Sequence, residues 1–229
     1  MGRPALTLVP TPSSAPVPQP DELESLPKLI PAGRLLELSG GEHGPSARTS
    51  TAVAMVAHMQ QQGETTVWLQ PTGGPLYPPD LADAGIDLDS LVVIHVPVSA
   101  GPHGACKAAE LLLRSGAFGL LVIDLSAGVP PGNGEAWQGR LLGLARQHHA
   151  RVVVLTVKPT HATSLGPLVG MRIEPTRQRA PIVDGPRPHR DPQRGRRPRR
   201  FMVEHTVLKN KTGKAIEPAL EVYRGPWGL

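Results

Sequence analysis

Residues 119–157 read GLLVIDLSAGVPPGNGEAWQGRLLGLARQHHARVVVLTV, and this stretch decides the fold class. It opens with an apolar run, Gly119–Leu125, and closes with a second apolar run, Arg151–Val157. Short continuous apolar runs are typical of strands that are buried on both faces. Between the two runs, Glu135–His149 has the length and spacing of a helix. A strand, a helix and a second strand in this order predict a parallel pair joined by a right-handed crossover.

The same alternation continues toward both ends of the chain. Apolar runs separated by helix-length segments indicate an α/β fold, with a mostly parallel sheet flanked by helices. The run Leu91–Val96 is nearly uninterrupted, so we expect it to be buried as well. Two late runs are predicted to be antiparallel strands that close the sheet. The other predicted elements are strands at Arg34–Leu38, Thr65–Leu69, Phe201–Leu208 and Ala219–Tyr223, and helices at Ser46–Gln62 and Gly104–Ser115.

The composition excludes several classes of protein. The one cysteine, Cys106, rules out a disulfide framework and a multi-cysteine zinc site. The nine histidines have no metal-binding spacing such as HExxH, so no metal is predicted. No apolar run approaches the ~20 residues of a membrane helix, and the N-terminus lacks the apolar core of a secretory signal. These features predict a soluble, cytoplasmic protein with no membrane partner.

The net charge of +5 is the sum of two unlike parts of the chain. Arg172–Arg200 holds ten Arg against three acidic residues, a net charge of +7, so the rest of the chain carries −2. Six prolines in the same stretch argue against a helix or a central strand there. Residues 4–31 hold eight more prolines. The predicted organisation is a flexible Pro-rich tail at 1–27 and a core at 28–229, with an Arg/Pro-rich inserted loop at about 174–200.

A Gly-rich turn follows the first predicted strand, where residues 40–50 read GGEHGPSARTS. P-loop proteins hold phosphate in such a strand–turn–helix unit, with the pattern GxxxxGK[ST]. Here Gly40 opens the turn, Arg48 stands for the lysine, and Thr49 takes the magnesium-ligand position. Ala47 replaces the glycine before the cation, and Pro45 removes an amide donor. The turn indicates either a degraded nucleotide site or a purely structural connection.

Asp124 ends the strand GLLVID, which is where P-loop proteins place the acid that coordinates the metal of the nucleotide. The same carboxylate is also suited to a turn over Asp124-Leu125-Ser126, since Asp side chains bond to the backbone two residues on. Both interpretations are open at this point.

Several segments, taken in order, resemble the RecA recombinases. Pro31–Gly40 (PAGRLLELSG) is similar to the strand that enters the P-loop of that family, and Leu112–Asp124 (LLRSGAFGLLVID) to the segment that leads to its metal-binding acid. The resemblance covers roughly residues 28–229 and implies a RecA-like core of the P-loop NTPase type. Further similar segments are a turn at 85–91 (GIDLDSL), the late element LKNK at 208–211 and the last core strand PALEVYRG at 218–225.

The departures from the RecA pattern concern its chemistry. The activating glutamate of the family falls at Gln70–Thr72, where there is no acid, and its γ-phosphate-sensing glutamine falls near Val157 and Lys158. The segments for the two DNA loops of the family, around 129–136 and 160–169, are shorter. Phosphoryl transfer needs positioned phosphates, a metal and an oriented water, so we expect no ATPase activity and no bound cofactor. Under this interpretation Gly40, Arg48, Thr49 and Asp124 are inactive remnants of a nucleotide site.

The resemblance also suggests partners. RecA uses the lysines of its late element to reach the nucleotide of a neighbour, which implies that Lys209 and Lys211 face a partner molecule. Within the family, the chain resembles the degenerate ImuA group, which are SOS mutasome partners of error-prone polymerases. That implies a non-catalytic SOS and DNA-repair accessory protein, associated with the nucleoid. It would engage the RecA filament, a translesion polymerase or a sliding clamp, and bias repair between recombination and mutagenic bypass.

The Arg-rich loop is the predicted DNA contact. Arg binds phosphate in a bidentate manner, and Phe201 is the only aromatic residue nearby, so binding should be independent of sequence. A solvated loop without a ligand is the alternative. The residues predicted to contact DNA are Arg187, Arg190, Arg194, Arg196, Arg197, Arg199 and Arg200.

Two other functions are compatible with the same sequence. A divergent DNA-dependent ATPase would still bind Mg–ATP through Arg48, Thr49 and Asp124. A division inhibitor resembling the SulA type, another shortened RecA relative, would need no DNA.

Overall fold

The computed structural model describes residues 31–41, 44–132, 134–178, 200–213 and 219–224. The predicted Pro-rich tail at 1–27 lies outside these residues. So do six of the seven arginines predicted to contact DNA, from Arg187 to Arg199. Arg200 is the first residue of a strand.

The described chain alternates strands and helices and then ends in strands. Its elements are β1 (Arg34–Gly40), α1 (Arg48–Gln61), β2 (Thr66–Pro71), α2 (Pro78–Asp83), β3 (Leu91–Val96), α3 (Gly101–Arg114), β4 (Leu120–Asp124), α4 (Glu135–Gln147), β5 (Arg151–Val157), β6 (Met171–Gln178), β7 (Arg200–Asn210) and β8 (Ala219–Arg224).

The eight strands form one sheet in the order β3-β2-β4-β5-β1-β6-β7-β8. Neighbouring strands from β3 to β6 are parallel, while β7 is antiparallel to β6 and to β8. The α/β class, the mostly parallel sheet and the late antiparallel strands are therefore confirmed.

Helices cover both faces of the parallel part of the sheet. On one face, α3 and α4 enclose a core that includes Leu69, Leu121 and Val152. On the other face, α1 and α2 enclose a core that includes Met55 and Val153. The strands that lie between these layers are buried on both sides, which explains their nearly continuous apolar sequences. Within the described residues, no helix combines the length and apolarity needed to cross a lipid bilayer.

The prediction that Leu91–Val96 is fully buried is wrong, although its bounds are right. Among the described strands, β3 lies at the edge of the sheet and pairs only with β2. Val92 is 38% exposed, His95 is exposed, and only Val96 is buried. An apolar run indicates a strand, but it does not show whether a second neighbour covers that strand.

Strand β6 is also a departure from the sequence prediction, which began the inserted loop at about residue 174. The strand continues through Pro175 to Gln178. Pro175 is tolerated because β1 pairs with β6 only as far as Ile173, so the missing amide breaks no ladder on that side. The charged Arg172, counted above with the Arg-rich stretch, lies inside this strand and is only 2% exposed.

Candidate functional site

The carboxyl ends of neighbouring parallel strands bring the predicted nucleotide-site residues to one edge of the sheet. Gly40 ends β1 and Asp124 ends β4, with β5 between these two strands. The open edge at the carboxyl ends of the strands is where α/β sheets bind ligands. Asp124 ends a strand at this edge, as the sequence predicts, and Gly40 lies where β1 meets the Gly-rich turn.

The Gly-rich turn after β1 is bonded to β6. The Ala47 amide donates to the Pro175 carbonyl at 2.9 Å, and the Arg177 amide donates to the Pro45 carbonyl at 2.6 Å. Ser46 forms an antiparallel bridge with Thr176. A phosphate cradle needs free backbone amides that point at the ligand, and Pro45 has no amide while Ala47 uses its own.

A small cavity lies beside this turn and has an acidic wall. Its volume is about 80 Å³, and both Gly40 and Glu174 line it. The Glu174 carboxylate accepts a hydrogen bond from the Thr160 hydroxyl at 2.8 Å. A Cβ atom at Gly40 would lie 2.5 Å from Ser46 Oγ, so the turn packs closely against the end of β1. A carboxylate at this position repels phosphate.

The Arg48 guanidinium bonds to the ends of two strands. Its Nη1 donates to the carbonyls of Thr156 at 2.6 Å and of Gly40 at 3.1 Å. Burial lowers the pKa of Arg48, and the nearby charge of Asp124 opposes that shift. The cation that stands in the place of the P-loop lysine thus ties β1 to β5.

Thr49 and Asp124, predicted to share a metal, line two different cavities. Thr49 faces a cavity of about 200 Å³ between α1, α2 and the aromatic residues Phe201 and Tyr223. Asp124 borders an apolar cavity of about 160 Å³ that Pro97 and Val98 also line. Asp124 Oδ1 accepts the Ser126 amide at 2.9 Å, which confirms the predicted turn.

The carboxyl end of β2 has no acidic side chain to orient a water. Gln70 is buried, and its Oε1 accepts the Leu76 amide at 3.4 Å. Thr72 bonds through its hydroxyl to the Val96 carbonyl at 3.4 Å. These groups hold the connection to α2 in place.

Side chains hold the segment between β5 and β6, residues 158–170, against the sheet. Arg172 donates to Ser39 Oγ and to the carbonyls of Pro159 and Ala162. Glu37 accepts the Leu165 amide at 2.7 Å and the Thr156 hydroxyl at 2.8 Å. This segment includes the predicted second DNA loop at 160–169.

Lys209 and Lys211, predicted to face a partner, bond to this same 158–170 segment. Lys209 Nζ donates to Ser164 Oγ and to the Gly166 carbonyl, both at 2.8 Å. Lys211 Nζ donates to the Pro167 carbonyl at 3.2 Å. Burial lowers the pKa of Lys209, the charge of Lys211 lowers it further, and Glu37 opposes the shift. Contact of these lysines with a neighbour stays a prediction.

A buried polar cluster joins α1 to the last two strands. His205 is 1% exposed, and its Nε2 lies 3.2 Å from Thr51 Oγ1 and 3.3 Å from the Tyr223 hydroxyl. Tyr223 donates to Glu221 Oε2 at 2.8 Å. Burial lowers the pKa of His205, while burial and the Glu221 charge raise the pKa of Tyr223.

Sequence reasoning missed the residues that carry this internal bonding. Glu37 interrupts the apolar run of β1, and that was a usable signal, because a charge inside a buried strand needs partners. Arg172 gave no such signal, since nine more arginines follow it before residue 201. His205 lies in a strand with mixed polarity and gave none either.

Two groups at this edge that could contact a nucleotide are bonded within the chain. The Ala47 amide bonds to the Pro175 carbonyl, and the Arg48 guanidinium bonds to the carbonyls of Gly40 and Thr156. In the described part of the chain, no group of three or more His, Cys, Asp or Glu is placed to hold a metal ion.

Comparison with known proteins gives one family. The family model described as RecA N-terminal domain matches residues 28–154, more than half of the chain. The chain is similar to Protein RecA of Fusobacterium nucleatum (34% identical over 106 residues) and of Saccharopolyspora erythraea (35% over 103 residues). Protein RecA of Acinetobacter baylyi is 33% identical over 104 residues. Each match covers 44% of this chain but only 25% to 28% of the relative, about a quarter of its length.

Proposed function

Because the chain belongs to the RecA N-terminal domain family, we propose that it is a non-catalytic RecA-like accessory protein of DNA repair. The observation that carries the proposal is the bonding of the Gly-rich turn to β6, since the Ala47 amide is used in it and Pro45 has no amide to offer a phosphate. The Arg48 bonds to Gly40 and Thr156 add to it, because the cation is held by carbonyl oxygens.

The proposed partners are DNA and the RecA filament or an error-prone polymerase. The charge of +7 over Arg172–Arg200 supports DNA binding, although Arg172 itself is buried and does not contribute to it. The resemblance to the ImuA group supports a role in the SOS response beside a translesion polymerase or a sliding clamp.

ATP turnover with and without single-stranded DNA tests the non-catalytic part of the proposal. We expect no hydrolysis above background under either condition. DNA-stimulated hydrolysis that is lost in Asp124→Asn would instead support the divergent ATPase, because that variant removes the carboxylate that a nucleotide-bound metal needs.

The salt dependence of DNA binding tests the role of the Arg-rich loop. If ~5 phosphates are neutralised, the log–log slope of affinity against salt should be about −3.5 to −4.5. A variant that lacks Pro186–Arg200 should lose most of that salt dependence. In a pull-down with RecA–DNA filaments, carried out at two salt concentrations, this variant should no longer be retained. If that variant kept its biological activity in the cell, the result would instead favour a division inhibitor that does not need DNA.

A further inference from the structure

The cavity between α1, α2 and the β7–β8 pair has a chemistry that the proposed function does not use. Both tyrosines of the chain, Tyr77 and Tyr223, line it together with Phe201, although aromatic residues are only 3% of the sequence. Its lining also includes three polar residues, Asp80 of α2 and Thr49 and Ser50 at the start of α1. The cavity therefore combines flat apolar walls with a group of hydrogen-bond acceptors.

The α1–α2 side of this cavity belongs to an acidic stretch of the chain. From Thr49 to Cys106 the chain has five acidic residues and no Lys or Arg. Asp80 lies in α2, and Asp87 and Asp89 are exposed in the turn that follows it. On this side of the cavity, the Asp80 carboxylate favours a cation over a phosphate or a carboxylate ligand.

An aromatic wall of the cavity already binds a cation of the chain itself. The Arg177 guanidinium lies 4.4 Å from the centre of the Phe201 ring, within the range of a cation–π contact. A guanidinium is planar and carries five N–H donors, so it can stack on an aromatic ring while it bonds to a carboxylate and to hydroxyls. The ammonium group of lysine matches flat walls less well, since its charge is a compact point.

We propose that this cavity binds an arginine side chain from a basic segment of a protein partner, with Asp80 as its ion-pair partner and Tyr77 as its stacking surface. The inference rests on the cavity and its charge, and it requires neither DNA binding nor loss of ATPase activity.

The test uses the full chain and two peptides that differ in one group. Acetyl-Gly-Arg-Gly-amide carries the guanidinium, and the citrulline peptide has the same shape without the charge. Binding is followed at low salt through the NMR shifts of the Thr49, Ser50 and Tyr77 amides. We expect the arginine peptide to bind about tenfold more tightly than the citrulline peptide, with affinity that falls as salt rises.

Matched variants locate the contact. Asp80→Asn should weaken the arginine peptide about tenfold, while Asp89→Asn, an exposed acid nearby that does not line the cavity, should change it less than twofold. Tyr77→Phe should bind as wild type does, and Tyr77→Ala should bind about fivefold more weakly, because only the latter removes the ring. Urea midpoints of all four variants establish that they are folded.

Three outcomes would overturn the proposal. They are equal binding of the two peptides, equal effects of Asp80→Asn and Asp89→Asn, and shifts at these amides with adenosine but not with the arginine peptide, which would make the cavity a nucleobase site. None of these outcomes alters the DNA-binding or ATP assays, so failure here and failure of the proposed function are distinguishable.

Discussion

Two connections at the carboxyl edge of the sheet are fixed in different ways. The Gly-rich turn after β1 is held mainly by backbone bonds to β6, while the 158–170 segment after the neighbouring β5 is held mainly by side chains. Six charged side chains form hydrogen bonds with that segment. They are the cations of Lys158, Arg172, Lys209 and Lys211 and the carboxylates of Glu37 and Glu174. Backbone pairing depends little on side-chain identity, so single substitutions should loosen the 158–170 segment far more than the turn.

The largest effect is expected from Arg172→Ala. This change leaves the buried Ser39 Oγ and the partly buried carbonyls of Pro159 and Ala162 without their donor. We expect a loss of about 3 kcal/mol in the free energy of unfolding, measured with urea. Arg114→Ala is the control, because Arg114 is exposed and its pair with Glu110 contributes at most about 1 kcal/mol. Equal losses in the two variants would contradict the structural role of Arg172.

A smaller loss, about 2 kcal/mol, is expected for Glu37→Gln. The amide keeps the shape of the carboxylate but turns an NH₂ group toward the Leu165 amide or the Lys158 ammonium, both of which are donors. Hydrogen exchange should show faster exchange at Leu165 with little change at Ala47. Exchange that is unchanged at Leu165 would show that Glu37 does not hold the segment.

Low pH should destabilise the protein through His205, which bonds to α1, the helix that follows the Gly-rich turn. Its pKa in the fold lies below the unfolded value of about 6.5, because burial disfavours the charged imidazole and the Glu221 carboxylate opposes this only in part. The contribution of His205 to stability is therefore full above about pH 6.5 and is lost as the pH falls through the pKa of the folded state. The urea midpoint should fall between pH 7.5 and pH 5, and His205→Gln should reduce that fall. The same fall in both proteins would assign the pH dependence to other groups.

The smallest effect is expected for Ser46→Ala in the turn. Ser46 is exposed and bridges Thr176 through its backbone, so the change should stay within about 0.5 kcal/mol. A loss comparable to that of Glu37→Gln would show that side chains fix the turn too, and the contrast between the two connections would not hold.

The inner strands of the parallel half were readable from the sequence because they are buried on both faces. The bounds of β5 were predicted to the residue, since its apolar run ends where the chain reaches the edge of the core. The bounds of β3 were also right, although most of this edge strand is not buried. The short helix α2 and the strand β6 were missed. In β6, Pro175 and the arginines look like loop residues, and only the pairing with β7 shows how they fit.

The candidate site was predictable in its parts but not in its arrangement. The place of Asp124 at the end of a strand follows from the apolar run before it. The pairing of the turn with β6 was not predictable, because it joins Ser46 to Thr176, more than a hundred positions apart. The pattern of one segment carries no information about such a contact.

The position of β1 within the sheet has a consequence for the synthesis of the chain. Leu36 pairs with Val153 on one side and with Met171 on the other, both more than a hundred residues later. At roughly 5–20 residues per second, a ribosome needs on the order of ten seconds to make those partners. Over that interval Leu35, Leu36 and Leu38, all buried in the finished protein, have no sheet to enter. Among the described strands, β1 is thus translated first and enclosed among the last, so we expect holding chaperones to bind the nascent chain at these leucines.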